Sequence, residues 1–258
     1  MLKRLKAENA AFCALSVAGM TVRDVQQVID SLARSGLSPK YIANIYGFIS
    51  SVLSYRGVEI RTPKLPKKER PEMNVPDEET VKRTIEAAAG TQLEVPILLA
   101  AFGPMRRGEI CAMHPEDIQG NVIHVHRSLV RTENNEWVEK APKTYSSDRW
   151  LEMPEKVIEK VKELPVTEAG RLICWTPDNL SMSFARMLEA NGIAHYRFHD
   201  LRHFCASDLH AQGVPDIYIQ QRTGHSSPAV LRQVYTHTMQ DQSQKQTEII
   251  VSHFNDFL

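Results

Sequence analysis

At 258 residues, of which 42% are hydrophobic and 24% charged, the chain has the composition of an ordinary globular protein with room for one large or two modest domains. No run of about 18 apolar residues occurs, which excludes a transmembrane helix, and the N-terminus lacks the apolar core of a signal peptide. The four cysteines are widely spaced, without a CxxC pair, and are expected to be reduced thiols in a cytoplasmic protein.

The net charge of zero conceals an uneven distribution of charge along the chain. Residues 1–71 contain 12 lysines and arginines but only five aspartates and glutamates, so this part carries a net charge of +7 and the remainder carries −7. A basic N-terminal part joined to a larger acidic part indicates a partner that is an anionic polymer. On charge alone, a set of solvated surface lysines explains the pattern equally well.

Two amphipathic helices are predicted in the N-terminal part. Hydrophobic residues recur at helical spacing in residues 21–35, and Thr21 is a candidate N-cap. A longer helix is predicted to follow, with Ser38 as its cap and Pro39 at its first position. Residues 1–60 are therefore predicted to form a small helical domain.

A basic linker is predicted after this domain. Residues 61–76 contain four prolines and five basic residues, with almost nothing to bury, so an extended linker is assigned to residues 61–75. The side chains of Lys64, Lys67 and Lys68 could contact a phosphate backbone there.

From Pro76 onwards the pattern predicts a larger domain that is mostly helical. Three segments rich in β-formers, residues 121–130, 136–144 and 148–154, predict one three-stranded antiparallel sheet. Helices are predicted in residues 76–90, 92–113 (with a break near Gly103–Pro104), 155–164, 178–192, 199–213, 215–224 and 227–237.

Five motifs of this domain hold candidate catalytic side chains. They are GPMRRGEI with Arg106, APKTYSSDRW with Lys143, HDLRH with His199 and Arg202, TGHSS with His225, and VYTH with Tyr235. Together these groups suit a phosphodiester. Two arginines can hold the negative charge of a five-coordinate transition state, imidazoles can move protons, and a lysine can protonate the leaving oxygen. A tyrosine hydroxyl can act as the nucleophile.

The histidines and arginines admit two other interpretations. His199 and His203, four residues apart, could bind a metal with His225 or His237 as a third ligand. That reading is disfavoured because the glutamate of an HExxH motif is absent and Arg202 would place a fixed positive charge beside a dication. Each residue taken singly is more commonly a satisfied polar group, but five motifs in order are harder to explain in that way.

The five motifs, with a tyrosine ten residues after the histidine of TGHSS, resemble those of tyrosine recombinases of the phage and transposon integrase type. The register of the arginine motif selects Arg106 over Arg107, and the residues that follow Lys143 select it over Lys140. The resemblance implies that Arg106 and Arg202 clamp the scissile phosphate, that His199 and His225 assist them, that Lys143 is the general acid, that Tyr235 forms a 3′-phosphotyrosine, and that Glu109 and His203 support the site.

The resemblance also implies the fold and the DNA-binding surfaces. The fold is expected to be α+β and mostly helical, with a small N-terminal DNA-binding domain followed by a DNA breaking-rejoining domain in residues 76–258. The helix after Ser38 is similar to the family's core-type DNA-binding helix, so Lys40 and Tyr41 are expected to contact DNA, as are the lysines of the linker. Little chain precedes Thr21, so a shortened core-binding domain is expected.

The implied function is site-specific recombination of double-stranded DNA in the cytoplasm, in association with the nucleoid, without a metal, a cofactor or a membrane. The implied assembly is a homotetramer on paired sites, linked through a C-terminal segment, residues 246–258, whose apolar stripe includes Ile250, Phe254 and Phe257. An accessory DNA-bending or directionality protein is a further candidate partner. A type IB-like topoisomerase and a catalytically silent DNA-binding regulator remain open as alternatives.

Overall fold

The computed structural model describes residues 2–67, 75–142 and 147–224, together with Val251. The chain divides into two compact units, Met1–Glu72 and Met73–Leu258, which are termed unit 1 and unit 2. Within the described ranges, every helix is too short or too polar to cross a membrane.

Unit 1 is built from helices, including the two that were predicted. The elements are α1 (Leu2–Glu8), α2 (Ala10–Cys13), a 3-10 turn (Val17–Gly19), α3 (Val22–Arg34) and α4 (Pro39–Tyr55). The Thr21 side chain accepts a hydrogen bond from the backbone N–H of Asp24, and the Ser38 side chain accepts one from that of Tyr41, so both predicted caps are confirmed. The two helices before Thr21 were not predicted, and Leu5 of α1 belongs to the buried core of this unit.

The first part of the predicted linker packs against unit 1. Pro63 is buried, and Leu65 contacts the hydrophobic core. The side-chain amide of Gln26 accepts a hydrogen bond from the backbone N–H of Lys64 at 2.7 Å and donates one to its carbonyl oxygen at 3.1 Å. The expectation that this stretch has almost nothing to bury is therefore wrong for Pro63 and Leu65.

Unit 2 consists of seven described α-helices around one core, with two small sheets. The helices are α5 (Glu78–Ala88), α6 (Glu94–Phe102), α7 (Arg107–Cys111), α8 (Glu155–Lys162), α9 (Pro177–Ala190), α10 (Asp200–Ala211) and α11 (Asp216–Thr223). Helix α6 is almost entirely buried, and α10 packs against both α6 and α11. Helix α7 packs against α6, α9 and the strand that begins at Ser128.

The strands form two antiparallel sheets instead of the single sheet that was predicted. Strand β2 (Val122–Val125) lies between β1 (Ile118–Gln119) and β5 (Arg149–Glu152), and β3 (Ser128–Arg131) pairs with β4 (Trp137–Lys140). The predicted strand over residues 121–130 is wrong because the chain leaves the first sheet after Val125.

The break between β2 and β3 coincides with contacts to a buried carboxylate. Asp117 is buried and lies 2.8 Å from the ring nitrogen Nε2 of His126, while Nη2 of Arg127 donates a hydrogen bond to it at 2.9 Å. A buried carboxylate requires such partners, and His126 and Arg127 turn toward it between the two strands. The predicted fold class, α+β and mostly helical with small antiparallel sheets, is confirmed.

Candidate active site

Arg106 lies at the start of α7, immediately after the bend that ends α6. It is the N-cap residue, and Glu109 accepts hydrogen bonds from its backbone N–H at 2.9 Å and from its Nη1 at 2.7 Å. Nη2 of Arg106 donates to the carbonyl oxygen of Gly224 at 2.8 Å. The arginine side chain retains 34% exposure, so its guanidinium is held in place yet still accessible to an anion from solvent.

Glu109 is buried and is shared by two arginines. Arg149, on β5, donates to both carboxylate oxygens, through Nη1 at 3.3 Å and Nη2 at 2.8 Å. Burial by itself would raise the pKa of Glu109, but the charge and hydrogen bonds of Arg149, together with the charge of Arg106, hold that pKa below its usual value. Glu109 is therefore a carboxylate at neutral pH, and it orients Arg106.

Arg202 is the most deeply buried charged residue among those described, with 1% exposure on the inner face of α10. Its Nη1 donates a hydrogen bond to the carbonyl oxygen of Pro104, at the bend between α6 and α7. Burial lowers the pKa of Arg202, and the nearby charge of Arg106 lowers it further. Both effects oppose a positive charge at this position, and a bound anion would offset them.

His199 and His203 lie one turn apart at the start of α10. Their rings pack edge to face, with centroids 4.8 Å apart. His199 is exposed, yet the surrounding protein, including the ring of His203, partly desolvates its imidazole. This desolvation lowers its pKa to about 4, assisted by His203 and the positive charge of Arg202. His199 is therefore neutral at pH 7 and has one nitrogen that can donate a hydrogen bond and one that can accept.

His203 is buried, and burial lowers its pKa as well. Its Nδ1 has no hydrogen-bond partner among the described residues. His203 contacts the ring of His199 and is more buried than that residue, which fits a supporting role.

The described part of the site contains an excess of positive charge. Arg106 and Arg149 donate to a single carboxylate, that of Glu109, and the charges of all three groups act on Arg202. A cluster of guanidinium donors with unneutralised charge favours an oxyanion, and two forked donors can hold two non-bridging oxygens of a phosphodiester. The arrangement is thus suited to phosphoryl chemistry.

Three of the predicted catalytic residues, Lys143, His225 and Tyr235, lie outside the described residues, as does Lys68 of the linker. Gly224, whose carbonyl accepts the hydrogen bond from Arg106, directly precedes His225 in the chain.

The alternative candidates Arg107 and Lys140 occupy other surroundings. Nη1 of Arg107 lies 3.0 Å from the hydroxyl of Ser181 and 3.5 Å from the carboxylate of Asp178, both on α9. Lys140 is exposed at the end of β4.

The described residues do not support the alternative interpretation of the histidines as metal ligands. They contain no group of three or more His, Cys, Asp or Glu side chains that could hold a metal ion. The third ligands considered for that site, His225 and His237, lie outside these ranges.

The predicted DNA-binding residues of the N-terminal part belong to unit 1. Lys40 is exposed in the first turn of α4, whereas Tyr41 is partly buried against the core. Lys64 and Lys67 are exposed. An exposed ammonium group can contact phosphate, and Tyr41 contributes to packing as well.

Sequence reasoning missed Arg149. The signal was present, because the residues of strand β5 alternate and Arg149 falls on the same face as Leu151, which is buried. An arginine at an inward position of a strand requires a buried partner, and that partner is Glu109.

Comparison with known proteins identifies the family. The sequence model of the phage integrase family matches residues 74–242, more than half of the chain, so the chain belongs to this family. A protein named tyrosine recombinase XerC-like, from Caldanaerobacter subterraneus subsp. tengcongensis, is 23% identical over a gapped alignment 290 positions long, which spans 94% of this chain and 74% of that protein. The predicted resemblance to tyrosine recombinases is confirmed.

Two solved structures share the fold. The Tn1549 transposon integrase in complex with transposon right end DNA superposes with a TM-score of 0.78 at 16% identity, covering 97% of this chain and 91% of that one. A lambda integrase tetramer bound to a Holliday junction superposes with a TM-score of 0.61 at 18% identity, covering 90% of this chain and 70% of that one.

Proposed function

We propose that this protein is a site-specific DNA recombinase that cuts and rejoins DNA strands through a 3′-phosphotyrosine at Tyr235. The observation that carries the proposal is a cluster of positive charge, in which Arg106, held by Glu109, acts electrostatically on buried Arg202 beside the neutral imidazole of His199. Membership of the phage integrase family and the DNA complexes of the two structural relatives support the choice of DNA as the substrate.

The first step is a transesterification at the scissile phosphate. Arg106 and Arg202 donate hydrogen bonds to its non-bridging oxygens, which gain charge as phosphorus becomes five-coordinate. The hydroxyl oxygen of Tyr235 attacks phosphorus, and its proton leaves to a neutral imidazole of His199 or His225. The bond from phosphorus to the 5′-oxygen breaks, and Lys143 donates a proton to that oxygen.

The second step reverses the first with a different strand. The 5′-hydroxyl of the partner DNA gives its proton to the neutral amine of Lys143 and attacks the 3′-phosphotyrosine. The phenolic oxygen of Tyr235 leaves and takes back the proton held by the imidazole. One phosphoester bond breaks for each that forms, so rejoining requires no external energy source. Glu109 and His203 contribute by holding Arg106 and His199 in position.

The test of the proposal begins with a DNA site selected for binding from a random duplex library. A nicked form of that site loses the cleaved 5′ end, so a covalent protein–DNA adduct accumulates. We expect an adduct with the native protein and none with Tyr235→Phe, which removes only the attacking oxygen. Tyr218→Phe, on the exposed face of α11, is the matched control and should form the adduct normally. An adduct of undiminished yield from Tyr235→Phe would contradict the assignment.

Assays on the selected DNA site also distinguish a recombinase from a topoisomerase and from a catalytically silent regulator. A type IB-like topoisomerase would relax supercoiled DNA but give no exchange between two sites, and a silent regulator would bind the site without forming an adduct. A recombinase yields Holliday junctions and rejoined products from paired sites.

The proposal extends to the division of labour along the chain. Residues 1–60 would bind the core site, residues 61–75 would connect the domains along the phosphate backbone, and residues 76–258 would carry the chemistry. The protein would act in the cytoplasm, associated with the nucleoid. An accessory DNA-bending or directionality protein remains a candidate partner.

Assembly as a homotetramer through residues 246–258 is also part of the proposal. Apart from Val251, this segment lies outside the described residues. Its apolar stripe at helical spacing, after the polar stretch QDQSQKQ, favours docking on a neighbouring protomer, and the lambda integrase tetramer on a Holliday junction supports such an assembly.

Deletion of residues 246–258 is expected to leave binding to one half-site intact but to reduce recombination between two full sites. A gel shift on a half-site and a recombination assay on paired sites measure the two effects separately. Normal recombination by the deletion variant would contradict the proposal. Loss of half-site binding would show instead that the segment packs on its own protomer.

A further inference from the structure

The guanidinium of Arg149 connects three elements around the candidate active site. Its Nη atoms donate to Glu109, which in turn holds Arg106. Its Nε donates to the carbonyl oxygen of Arg222 at 3.0 Å, in the last turn of α11. Arg106 donates to the carbonyl oxygen of Gly224, two residues further along, so these contacts close into a ring.

The part of this ring that Arg149 and Glu109 form is buried. Arg149 has 7% exposure and Glu109 has 5%, so solvent cannot replace either partner. Arg149 also donates through Nη1 to the carbonyl oxygen of Ser147 at 3.2 Å, which attaches the start of β5 to the same point. A single side chain therefore sets the relative positions of α7, β5 and the end of α11.

We propose that Arg149 is a positioning residue for catalysis, which acts through Glu109 on Arg106 and through the Arg222 carbonyl on the C-terminal end of α11. The inference rests on the proposed function, because it concerns the rate of DNA cleavage. Arg149 itself is separated from solvent and is assigned no contact with the substrate.

The chemistry of the position requires an arginine. Only a guanidinium offers donors in a planar fork that can reach a carboxylate on one edge and a backbone carbonyl from Nε. Lysine would keep the charge but could not reproduce the two-point contact with Glu109. Loss of the fork would leave Glu109 free to rotate with Arg106, and misplacement of a reacting group by about 1 Å costs about 100-fold in rate.

The first experiment compares Arg149→Lys and Arg149→Met with the native protein on the selected DNA site. We expect half-site affinity within about threefold of native and a single-turnover cleavage rate that falls about 100-fold for both variants. The matched controls are Arg127→Lys and Arg127→Met. Arg127 is less buried than Arg149, with 21% side-chain exposure, but it likewise pairs with a buried carboxylate, that of Asp117. Its other described polar partners, Glu116, His126 and Glu139, are not members of the ring. These controls should lose stability without losing cleavage rate.

A double-mutant comparison then tests whether Arg149 acts through Arg106. In an Arg106→Lys background, Arg149→Lys should reduce the cleavage rate much less than it does in the native background, because the group that it positions has already been changed. A stability defect without a positioning role would give the same fold reduction in both backgrounds.

The outcomes separate this inference from the proposed function. If the native protein forms no phosphotyrosine adduct, the proposed function fails. If the native protein cleaves DNA and Arg149→Lys cleaves it equally fast, or if the reductions from Arg149 and Arg106 multiply, the positioning role is overturned and the proposed function stands.

Discussion

Arg202 combines almost complete burial with like charges on neighbouring side chains. A guanidinium in that position is held at a cost in free energy, because both desolvation and Arg106 disfavour its charge. Under the proposed function, the cost would be recovered when a phosphate enters, and most fully when the transition state carries its additional negative charge. The burial of Arg202 would then make its contribution selective for the transition state.

Replacing Arg202 by lysine should separate cleavage from binding. Arg202→Lys keeps a positive charge but loses the planar fork, and we expect the single-turnover cleavage rate to fall about 100-fold or more. Affinity for a half-site, measured by gel shift, should change by less than about tenfold, since most affinity comes from contacts along the DNA backbone. Arg127→Lys serves as the control, and equal losses in affinity and rate for Arg202→Lys would contradict the expectation.

The histidines predict how stability depends on pH. The pKa of His199 falls from its ordinary 6.5 to about 4 in the folded protein, so the unfolded chain binds a proton that the folded chain does not bind. Stability from this residue is complete above pH 6.5 and is lost as the pH falls from there toward 4. Glu109, whose pKa is lowered, acts in the same direction but at lower pH.

Substitution of His199 should flatten this dependence. Between about pH 7 and about pH 5, urea unfolding should show a smaller decrease in the free energy of unfolding for His199→Gln than for the native protein. His203 retains a lowered pKa and leaves part of the slope. An unchanged slope in the variant would mean that His199 is not the residue that titrates.

Most of the described candidate site residues could be selected from the sequence alone, whereas Arg149 could not. Arg106 and Glu109 fall in one short motif and His199 and Arg202 in another, so proximity within each pair follows from one cap or one turn of helix. The two motifs were brought together only by their resemblance to a known family. Arg149 meets Glu109 across 40 positions of chain, through the pairing of strands and the packing of α7. No local pattern records such a contact, and only the inward position of an arginine in a strand hinted at it.

At the scale of elements, α7 approaches β3 so closely that a side chain is excluded at Gly108. A Cβ atom at this position would lie 2.5 Å from the hydroxyl of Ser128 and 2.9 Å from the carbonyl oxygen of Leu129. Since α7 carries Arg106 at its start, the distance between helix and strand also sets the position of this guanidinium, which is proposed to be catalytic.

Gly108→Ala should therefore destabilise unit 2 and slow cleavage together. Overpacking of this kind costs about 1 to 3 kcal/mol, and the displaced α7 would carry Arg106 with it. Gly47→Ala is the control, because nothing lies within 4 Å of a Cβ atom there and the residue is inside α4. Alanine at that position should stabilise unit 1 by about 0.5 to 1 kcal/mol. Chemical denaturation measures both, and a neutral Gly108→Ala would contradict the packing argument.

Helices were easier to predict than sheets because their signals are local. Thr21 and Ser38 cap the two helices that periodicity indicated, and the break near Gly103–Pro104 lies between α6 and α7 as expected. The three β-rich segments were recognised, but their pairing depended on Asp117, which draws His126 and Arg127 out of the ladder. The alternation of residues within a predicted strand does not reveal that a buried aspartate outside that strand will bind two of its side chains.

At the scale of the whole molecule, the N-terminal part and the remainder of the chain carry opposite net charges. The basic excess lies in residues 1–71, and the contacts of Gln26 with the backbone of Lys64 attach the start of the basic stretch to unit 1. The charge of Lys64 and Lys67 is thus presented from a structured surface with their side chains exposed. An ordered backbone reduces the entropy lost when such lysines contact phosphate.

These lysines should contribute to affinity without contributing to sequence choice. Changing Lys64, Lys67 and Lys68 together to glutamine should lower the slope of log K against log salt concentration by at most about 2.7, because each phosphate contact releases about 0.9 counterion. The decrease should be the same on the selected site and on an unrelated duplex. A matched triple variant, Lys156→Gln, Lys160→Gln and Lys162→Gln on α8, removes the same charge from the acidic unit and should leave the slope unchanged. Equal slopes for the first triple variant and the native protein would show that the three lysines are solvated surface residues, and equal decreases for both triple variants would show that only net charge matters.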